Sequence, residues 1–305
     1  MSKKRLDPKN IQTIEKTENH LDSLVIATKP SARVWAISDL HLSFACDKPM
    51  DVFGGSWTNY TGKIAENWQR LVAPQDIVLV AGDISWGMKL EEAAADLEWL
   101  DKLNGHKIII KGNHEYWWKS ITAVREILPP SITAIQNDSI KIGNYIFCGT
   151  RGWTVPRRGK QLSAQDEKLY KREAERLKLT LQSMQKLRQD GDKVVCMIHY
   201  PPYNAYKDET LFTQLFEEYK VDIVVFGHLH GLYVKMEQHS NINGIDYYFT
   251  SIDHINNTPV LLGEIDVQGL AASQPIIGEN TSGAAGMAML GTNPQIKIKN
   301  KQQSK

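Results

Sequence analysis

The chain has 305 residues, of which 42% are hydrophobic and 23% charged. These are the proportions of an ordinary soluble globular protein, so a mainly disordered, collagen-like or coiled-coil chain is excluded. Lys plus Arg number 36 and Asp plus Glu 35, a net charge of +1; without a global basic field, nucleic acid is not favoured as a partner, while a local cluster can still hold a small phosphorylated substrate.

Residues 1–30 are polar and mixed in charge, and are read as an N-terminal extension. Their basic start has no apolar segment behind it, so it does not read as a secretory signal. No apolar run in the chain approaches the roughly 18 residues of a membrane helix, and no membrane partner is expected. The cysteines, Cys46, Cys148 and Cys196, show no CxxC spacing. A sparse, odd set of this kind suits neither a disulfide framework nor a thiolate zinc site, and it points to a reducing compartment, the cytoplasm.

From Arg33 the texture changes. RVWAIS (33–38), DIVLVAG (76–82), KIIIKG (107–112), KVVCMIH (193–199) and VDIVVFG (221–227) are short, nearly continuous apolar runs. They predict strands covered on both faces. Helices are predicted between them. Segment 89–103 places Leu90, Ala93, Ala94, Leu97 and Leu100 three and four apart and stops at Asn104-Gly105; segment 163–189 opens on Ser163-Ala-Gln-Asp166, a capping signature, and carries a stripe of Leu169, Leu177, Leu181, Met184 and Leu187. Beyond residue 229 the strands predicted at 233–238, 246–252 and 260–267 follow one another without helices, with a hairpin turn at Asn243-Gly244 between the first two. The expected organisation is an extension over 1–30, one α/β domain over 31–267 and a flexible tail over 268–305. Within the domain, sheet should pack on sheet with helices outside.

Each apolar strand is followed at once by a potential metal ligand: Asp39-Leu-His41, Gly82-Asp83, Asn113-His114-Glu115, His199 and Gly227-His228-Leu-His230. Each piece alone is ordinary turn or cap chemistry. Together they leave no reason for every strand exit to carry Asp, Asn or His. Paired divalent cations supply one. Two cations about 3.5–4 Å apart repel and need an anion between them. Asp83 is the best candidate for that bridge. The mixed nitrogen and oxygen set, free of thiolate, suits Mn, Fe, Co, Ni or Zn better than Mg alone. Water between such ions has its pKa lowered from about 15.7 towards about 7, giving a hydroxide nucleophile at neutral pH. A phosphoryl group, with an oxygen for each ion, is the matching electrophile.

The order D-x-H, G-D, G-N-H-E, H, G-H-x-H, spread over about residues 33–265, resembles the calcineurin-like metallophosphoesterase superfamily. The resemblance implies a four-layer αββα sandwich of two packed mixed sheets, with a two-metal site on the loops at one sheet edge. Carried over by position, one divalent ion takes Asp39, His41 and His230, the other takes Asn113, His199 and His228, and Asp83 joins them. His114 is implied as the catalytic residue that stabilises the phosphoryl oxygens or protonates the leaving oxygen, and Asn113 also faces substrate. The protein Ser/Thr phosphatases continue their second motif as G-D-x-V-D-R-G. Here the string is Gly82-Asp83-Ile-Ser-Trp86-Gly-Met, without the phosphate-gripping arginine. With ISDLHLS, GDISWGM, GNHEYWW and GTRGW, the chain looks most like a bacterial group of predicted phosphohydrolases.

The expected function is metal-dependent hydrolysis of a small phosphoester, leaning to phosphodiesters. The alternatives are a protein Ser/Thr phosphatase-like activity, a nuclease and a non-catalytic metal-binding scaffold. The basic stretch 149–160 reads as an exposed loop or as a phosphate clamp, with Arg151 the best substitute for the missing arginine. Trp57, Trp68, Trp86, Trp117, Trp118 and Trp153 lie near the motif loops, as packing rings or as a wall on which a base or sugar stacks. The insert 47–62 is expected to form a rim or lid.

Overall fold

A computed structural model describes residues 31–231 and 233–266, together with the backbone of residues 276–278. The domain is a four-layer α/β sandwich. The first sheet has the order β11-β1-β2-β3-β4, formed by Val260–Asp266, Ser31–Ile37, Ile77–Val80, His106–Ile109 and Ile132–Ala134. Strands β1 to β4 run parallel, and β11 closes the edge antiparallel to β1. The second sheet has the order β12-β5-β6-β7-β8-β10-β9, formed by Ile276–Gly278, Ser139–Ile142, Tyr145–Thr150, Lys193–Ile198, Ile223–Phe226, Ile245–Phe249 and His239–Ile242. Its centre, β6-β7-β8-β10, is parallel.

The continuous apolar runs have the predicted cause. In β1, Val34 and Ala36 face the second sheet while Trp35 and Ile37 face the helices. Alternate residues of a strand point to opposite faces, so both sets must be apolar. Ile77, Leu79, Ile108 and Ile110 meet Phe147, Val195, Met197 and Val225 in the central layer. Helix α1 (Tyr60–Leu71) covers the first sheet with Tyr60, Ile64 and Trp68, spaced by four, and α2 (Leu90–Asp101) adds Ala93, Leu97 and Leu100. Helix α3 (Ile121–Ile127) follows β3. On the other side α4 (Ala164–Leu187) lays Tyr170, Ala174, Leu177, Leu181 and Met184 on the second sheet, beside α5 (Leu211–Glu218). The cap predicted at its start is present: Ser163 Oγ accepts from Asp166 N at 3.0 Å.

Two predicted features differ. Residues 233–238 are not a strand; the hairpin around Asn243-Gly244 pairs 239–242 with 245–249. Asn243 and Gly244 both have positive φ, as a tight two-residue turn requires, so the turn is where its sequence puts it and the strand before it starts later than composition suggests. Within the stretch read as a flexible tail, Ile276–Gly278 pairs antiparallel with β5. The extension over 1–30 and the rest of that tail lie outside the described residues. No helix among the described residues is long and apolar enough to cross a membrane.

Asp76 fastens the entry to the first sheet. Its buried carboxylate accepts from Arg33 N, Trp35 Nε1 and Ala73 N, each at 2.9 Å. Asp76→Ala should therefore strand the buried Trp35 indole donor and leave two part-buried amides to water, lowering unfolding free energy by roughly 1–3 kcal/mol, the cost of one unsatisfied buried group. Urea denaturation followed by tryptophan fluorescence measures it.

Candidate metal centre

The chain leaves its central strands in sharp turns. Asp39, His41, Asp83 and His228 all have positive φ, between 44° and 76°. That region is strained for residues with a side chain, and such strain gathers at functional sites. Each turn aims a side chain at the sheet edge while the backbone ties the turns together. Asp39 N and His41 N donate to the carbonyls of Gly82 and Asp83, both at 2.9 Å, and Ser38 N donates to Thr250 O of the second sheet at 3.0 Å. The two sheets are thus joined where the polar residues gather.

Two groups of side chains there are each close enough to hold a metal ion: Asp39, His41 and His230, and Asp83, His199 and His228. In the first, His41 Nε2 lies 3.2 Å from His230 Nε2, which lies 3.3 Å from Asp39 Oδ1. In the second, His199 Nε2 lies 3.3 Å from Asp83 Oδ2. Asn113 Oδ1 joins that group, 2.8 Å from His199 Nε2 and 2.7 Å from His228 Nδ1. Asp83 Oδ2 also lies 3.9 Å from His41 Nε2, so one carboxylate oxygen faces both groups. The donor set fits divalent cations. Carboxylate, amide and imidazole atoms with lone pairs converge, and no Lys or Arg reaches the cluster in any ion pair of the described residues.

The electrostatics say the same. Burial disfavours charge on His199 and His230, but Asp83 beside the first and Asp39 beside the second outweigh it, raising them to about 9 and about 10. Those imidazoliums in turn overcome burial at the carboxylates, holding Asp39 well below the usual range and Asp83 at about 2. Burial lowers His41 and His228 to about 4, so both are neutral and open to ligation. Without cations, protons on two histidines hold two buried carboxylates together; cations could take their place.

A second layer of groups holds the cluster. Ser38 Oγ, Ser251 Oγ and His228 N donate to Asp39 Oδ2 at 2.5, 2.8 and 3.0 Å. Asp253 accepts from Gly231 N and lies 2.9 Å from His230 Nδ1, orienting that ring. Glu115 is fully buried. It accepts from Asp83 N at 3.0 Å, from Ile84 N and Gly112 N at 2.5 Å, and more weakly from Ser85 N, binding the loop after β2 to the loop after β3. Burial, with Asp83 nearby, pushes its carboxyl up to about 7. Asp253, Ser38 and Ser251 carry no signal in the sequence pattern, whereas Glu115 stands inside the GNHE string at a strand exit and serves as a brace for the loops, accepting from backbone amides.

His114 donates its backbone N–H to Asp83 Oδ1 at 2.8 Å, and its half-buried ring lies 3.9 Å from Asp83 Oδ2. Burial lowers its pKa below the ordinary value. It lines a cleft of about 820 Å³ with His41, His230, Trp57 and Trp86. Phe53, Gly54 and Gly55 also border this cleft, so the insert does form a rim. Trp68, Trp117 and Trp118 are buried as packing residues instead. Arg151 stands apart. Its guanidinium lies 3.3 Å from buried Glu173 and stacks on Trp153, and it lines a separate recess of about 160 Å³. Its carbonyl accepts from His199 N and Tyr200 N.

A two-sheet sandwich that gathers carboxylates, an amide and imidazoles from several strand exits beside an open cleft is a protein suited to holding divalent cations near a substrate. The chain belongs to the calcineurin-like phosphoesterase family, whose sequence profile matches residues 32–232. The Gene 66 protein of Mycobacterium phage D29 is 34% identical over 84 residues, and the match spans 28% of this chain and 41% of that curated relative. Among solved structures, a Thermus thermophilus protein is similar with a TM-score of 0.49 at 11% identity, over 77% of this chain and 99% of that one. Phosphopantetheinyl hydrolase from Mycobacterium tuberculosis is similar at 0.44 and 15% identity, over 73% and 91%. A protein of unknown function from Aquifex aeolicus is similar at 0.42 and 12% identity, over 75% and 95%.

Two glycines make room for the carboxylates. A Cβ on Gly112 would collide with Asp83 Oδ1, and one on Gly227 with Asp39 Oδ2. Gly112→Ala and Gly227→Ala should each weaken Mn²⁺ binding about 10-fold or more, of the order seen when a supporting group of a metal site is lost. Calorimetric titration checks this, and unchanged far-UV circular dichroism shows that the fold survives.

Proposed function

We propose that the chain is a two-metal phosphoester hydrolase, with Asp39, His41 and His230 holding one divalent cation, Asn113, His199 and His228 the other, and Asp83 shared between them. The observation that carries the reading is the placement of Asp83 Oδ2, which faces His199 at 3.3 Å and His41 at 3.9 Å from two separate ligand groups. Divalent cations there would supply Lewis-acid charge for phosphoryl oxygens and an activated water at neutral pH.

The chain's own residues do the rest. Asn113 turns its carbonyl oxygen towards the ring nitrogens of its group, 2.8 Å from His199 Nε2 and 2.7 Å from His228 Nδ1. Its amide nitrogen is then left to donate to a phosphoryl oxygen. His114, whose ring borders the cleft 3.9 Å from Asp83 Oδ2, points a ring N–H at the phosphoryl group or the leaving oxygen as the P–O bond breaks. Asp253 and Glu115 keep His230 and Asp83 aimed throughout. Phosphodiesters are favoured over phosphoproteins because Gly87 stands where the Ser/Thr phosphatase motif carries its arginine, and Trp86 beside it stacks on His41 with ring centroids 4.8 Å apart. Mn²⁺ is the metal to try first, since it suits a mixed oxygen and nitrogen set. Cytoplasmic residence is proposed on the free thiols Cys46, Cys148 and Cys196.

Activity of Mn²⁺-loaded protein on bis(4-nitrophenyl) phosphate and 4-nitrophenyl phosphate tests the reading. The diester should be the better substrate. Asp83→Asn should lose bound metal and nearly all turnover. His114→Ala should keep its metal, by elemental analysis, and lose about 10²–10⁴-fold in kcat. Full turnover by metal-free Asp83→Asn protein would overturn the mechanism. Less than one bound equivalent with no rescue by Mn²⁺ would favour the scaffold, and cleavage of single-stranded DNA would favour a nuclease.

A further inference from the structure

Two recesses of unlike chemistry meet at the histidine cluster. The first is the cleft of about 820 Å³, whose walls include Trp57, Trp86 and Phe53. Trp57 stands 5.4 Å from the His230 ring and Trp86 4.4 Å from the His114 ring. The second, about 570 Å³, begins at His228, against which the Tyr200 ring packs at 4.0 Å. Val234 borders both. The walls of the second recess carry Arg157, Arg158, Lys160 and Lys235, and no carboxylate. Arg158 is occupied, forked on Asp208 and stacked over Tyr206. Arg157, Lys160 and Lys235 make no side-chain ion pair among the described residues. Three exposed cations with no ion-pair partner among the described residues border one concavity, and that concavity reaches the candidate metal ligand His228.

We infer that the substrate is a phosphodiester with unlike arms: an apolar or aromatic arm against Trp57 and Trp86, and an arm carrying a second phosphate that reaches Arg157, Lys160 and Lys235. The inference rests on the phosphoester reading above. Phosphorus at the histidine cluster has a recess on either side, so each ester oxygen leads its substituent into one of them; a monoester would leave one recess empty. In the reaction, a water oxygen bonds to phosphorus and one P–O ester bond breaks. The departing arm leaves as an alcohol, its oxygen taking a proton, and the other arm keeps the phosphate as a monoester.

Two chromogenic probes isolate the second phosphate: thymidine 5′-(4-nitrophenyl phosphate), and the same compound phosphorylated at the 3′ oxygen. With the full chain and Mn²⁺, the second probe should have the larger kcat/KM by about tenfold or more, the scale of one or two charge-assisted contacts. That ratio should shrink as salt rises and fall to near one in the triple variant Arg157→Gln, Lys160→Gln, Lys235→Gln. A ratio near one in the unmodified protein, or one that survives in the variant, overturns the inference while hydrolysis itself stands. Calorimetry reads the same groove without turnover. Thymidine 3′,5′-bisphosphate should bind about tenfold tighter than thymidine 5′-monophosphate in the unmodified protein only. If that difference appears but neither probe is hydrolysed, the groove is upheld and the hydrolase reading fails; equal affinities overturn the groove.

Discussion

Asp39 and Asp83 are carboxylates with almost no solvent exposure, set face to face with imidazoles whose ring nitrogens point inward. Burying one charge costs several kcal/mol unless it is paired. The arrangement persists only if positive charge enters it, as protons on His199 and His230 or as cations. Much of the surrounding structure follows from that demand. Four candidate ligands take left-handed backbone conformations, at a cost of order 1–3 kcal/mol each, to bring their side chains to one point. Gly112 and Gly227 give up side chains where any Cβ would strike the carboxylates. Glu115, itself a buried acid, is spent on four backbone amides so that Asp83 stays at its angle.

The parts of this arrangement that were legible in the sequence share a property: cause and effect lie within a few residues. A strand covered on both faces must be apolar at every position, so the polar residue after it stands out, and Asp39, Asp83, Asn113, His199 and His228 could be read off as strand exits. The cap at Ser163 and the turn at Asn243-Gly244 are equally local. What escaped depends on partners far along the chain. Asp253 matters because His230 lies 23 positions away, and Ser251 because Asp39 lies 212 away. The short strands Ile132–Ala134 and Ser139–Ile142 carry too few residues to show a period. Segment 233–238 has the composition of a strand, yet it borders both recesses through Val234 and touches the second sheet's backbone ladder only at its end, where Gln238 O accepts from Phe249 N at 2.9 Å.

Arg151 shows why placing a residue in a loop does not place its side chain. It follows β6 directly, and its carbonyl does serve the centre by holding the amides of His199 and Tyr200. Its guanidinium turns the other way, to a glutamate with no solvent exposure that also draws Arg172 and Arg176. An uncompensated buried carboxylate is costly, so Glu173 competes strongly for the nearest cation. Cations farther along the same loop, Arg157 and Lys160, meet no carboxylate in any ion pair among the described residues and border the second recess.

The position of the site follows from how the two sheets meet. Ser38, leaving β1, pairs with Ser251, leaving β10, so the exit of each sheet is fixed against the other. One ligand group combines Asp39 and His41 from the first sheet with His230 from the second; the other combines Asp83 and Asn113 from the first with His199 and His228 from the second. Neither group is complete on one sheet. A cation held by either group would therefore tie the two sheets together at the edge where the apolar central layer ends. The same seam leaves a recess on each side, one walled by aromatic rings of the first half and one by basic residues of the second. The asymmetry of those walls is a consequence of joining two different sheets, and it gives the centre a direction: a tetrahedral group held between the two clusters would meet chemically different surroundings on its two sides.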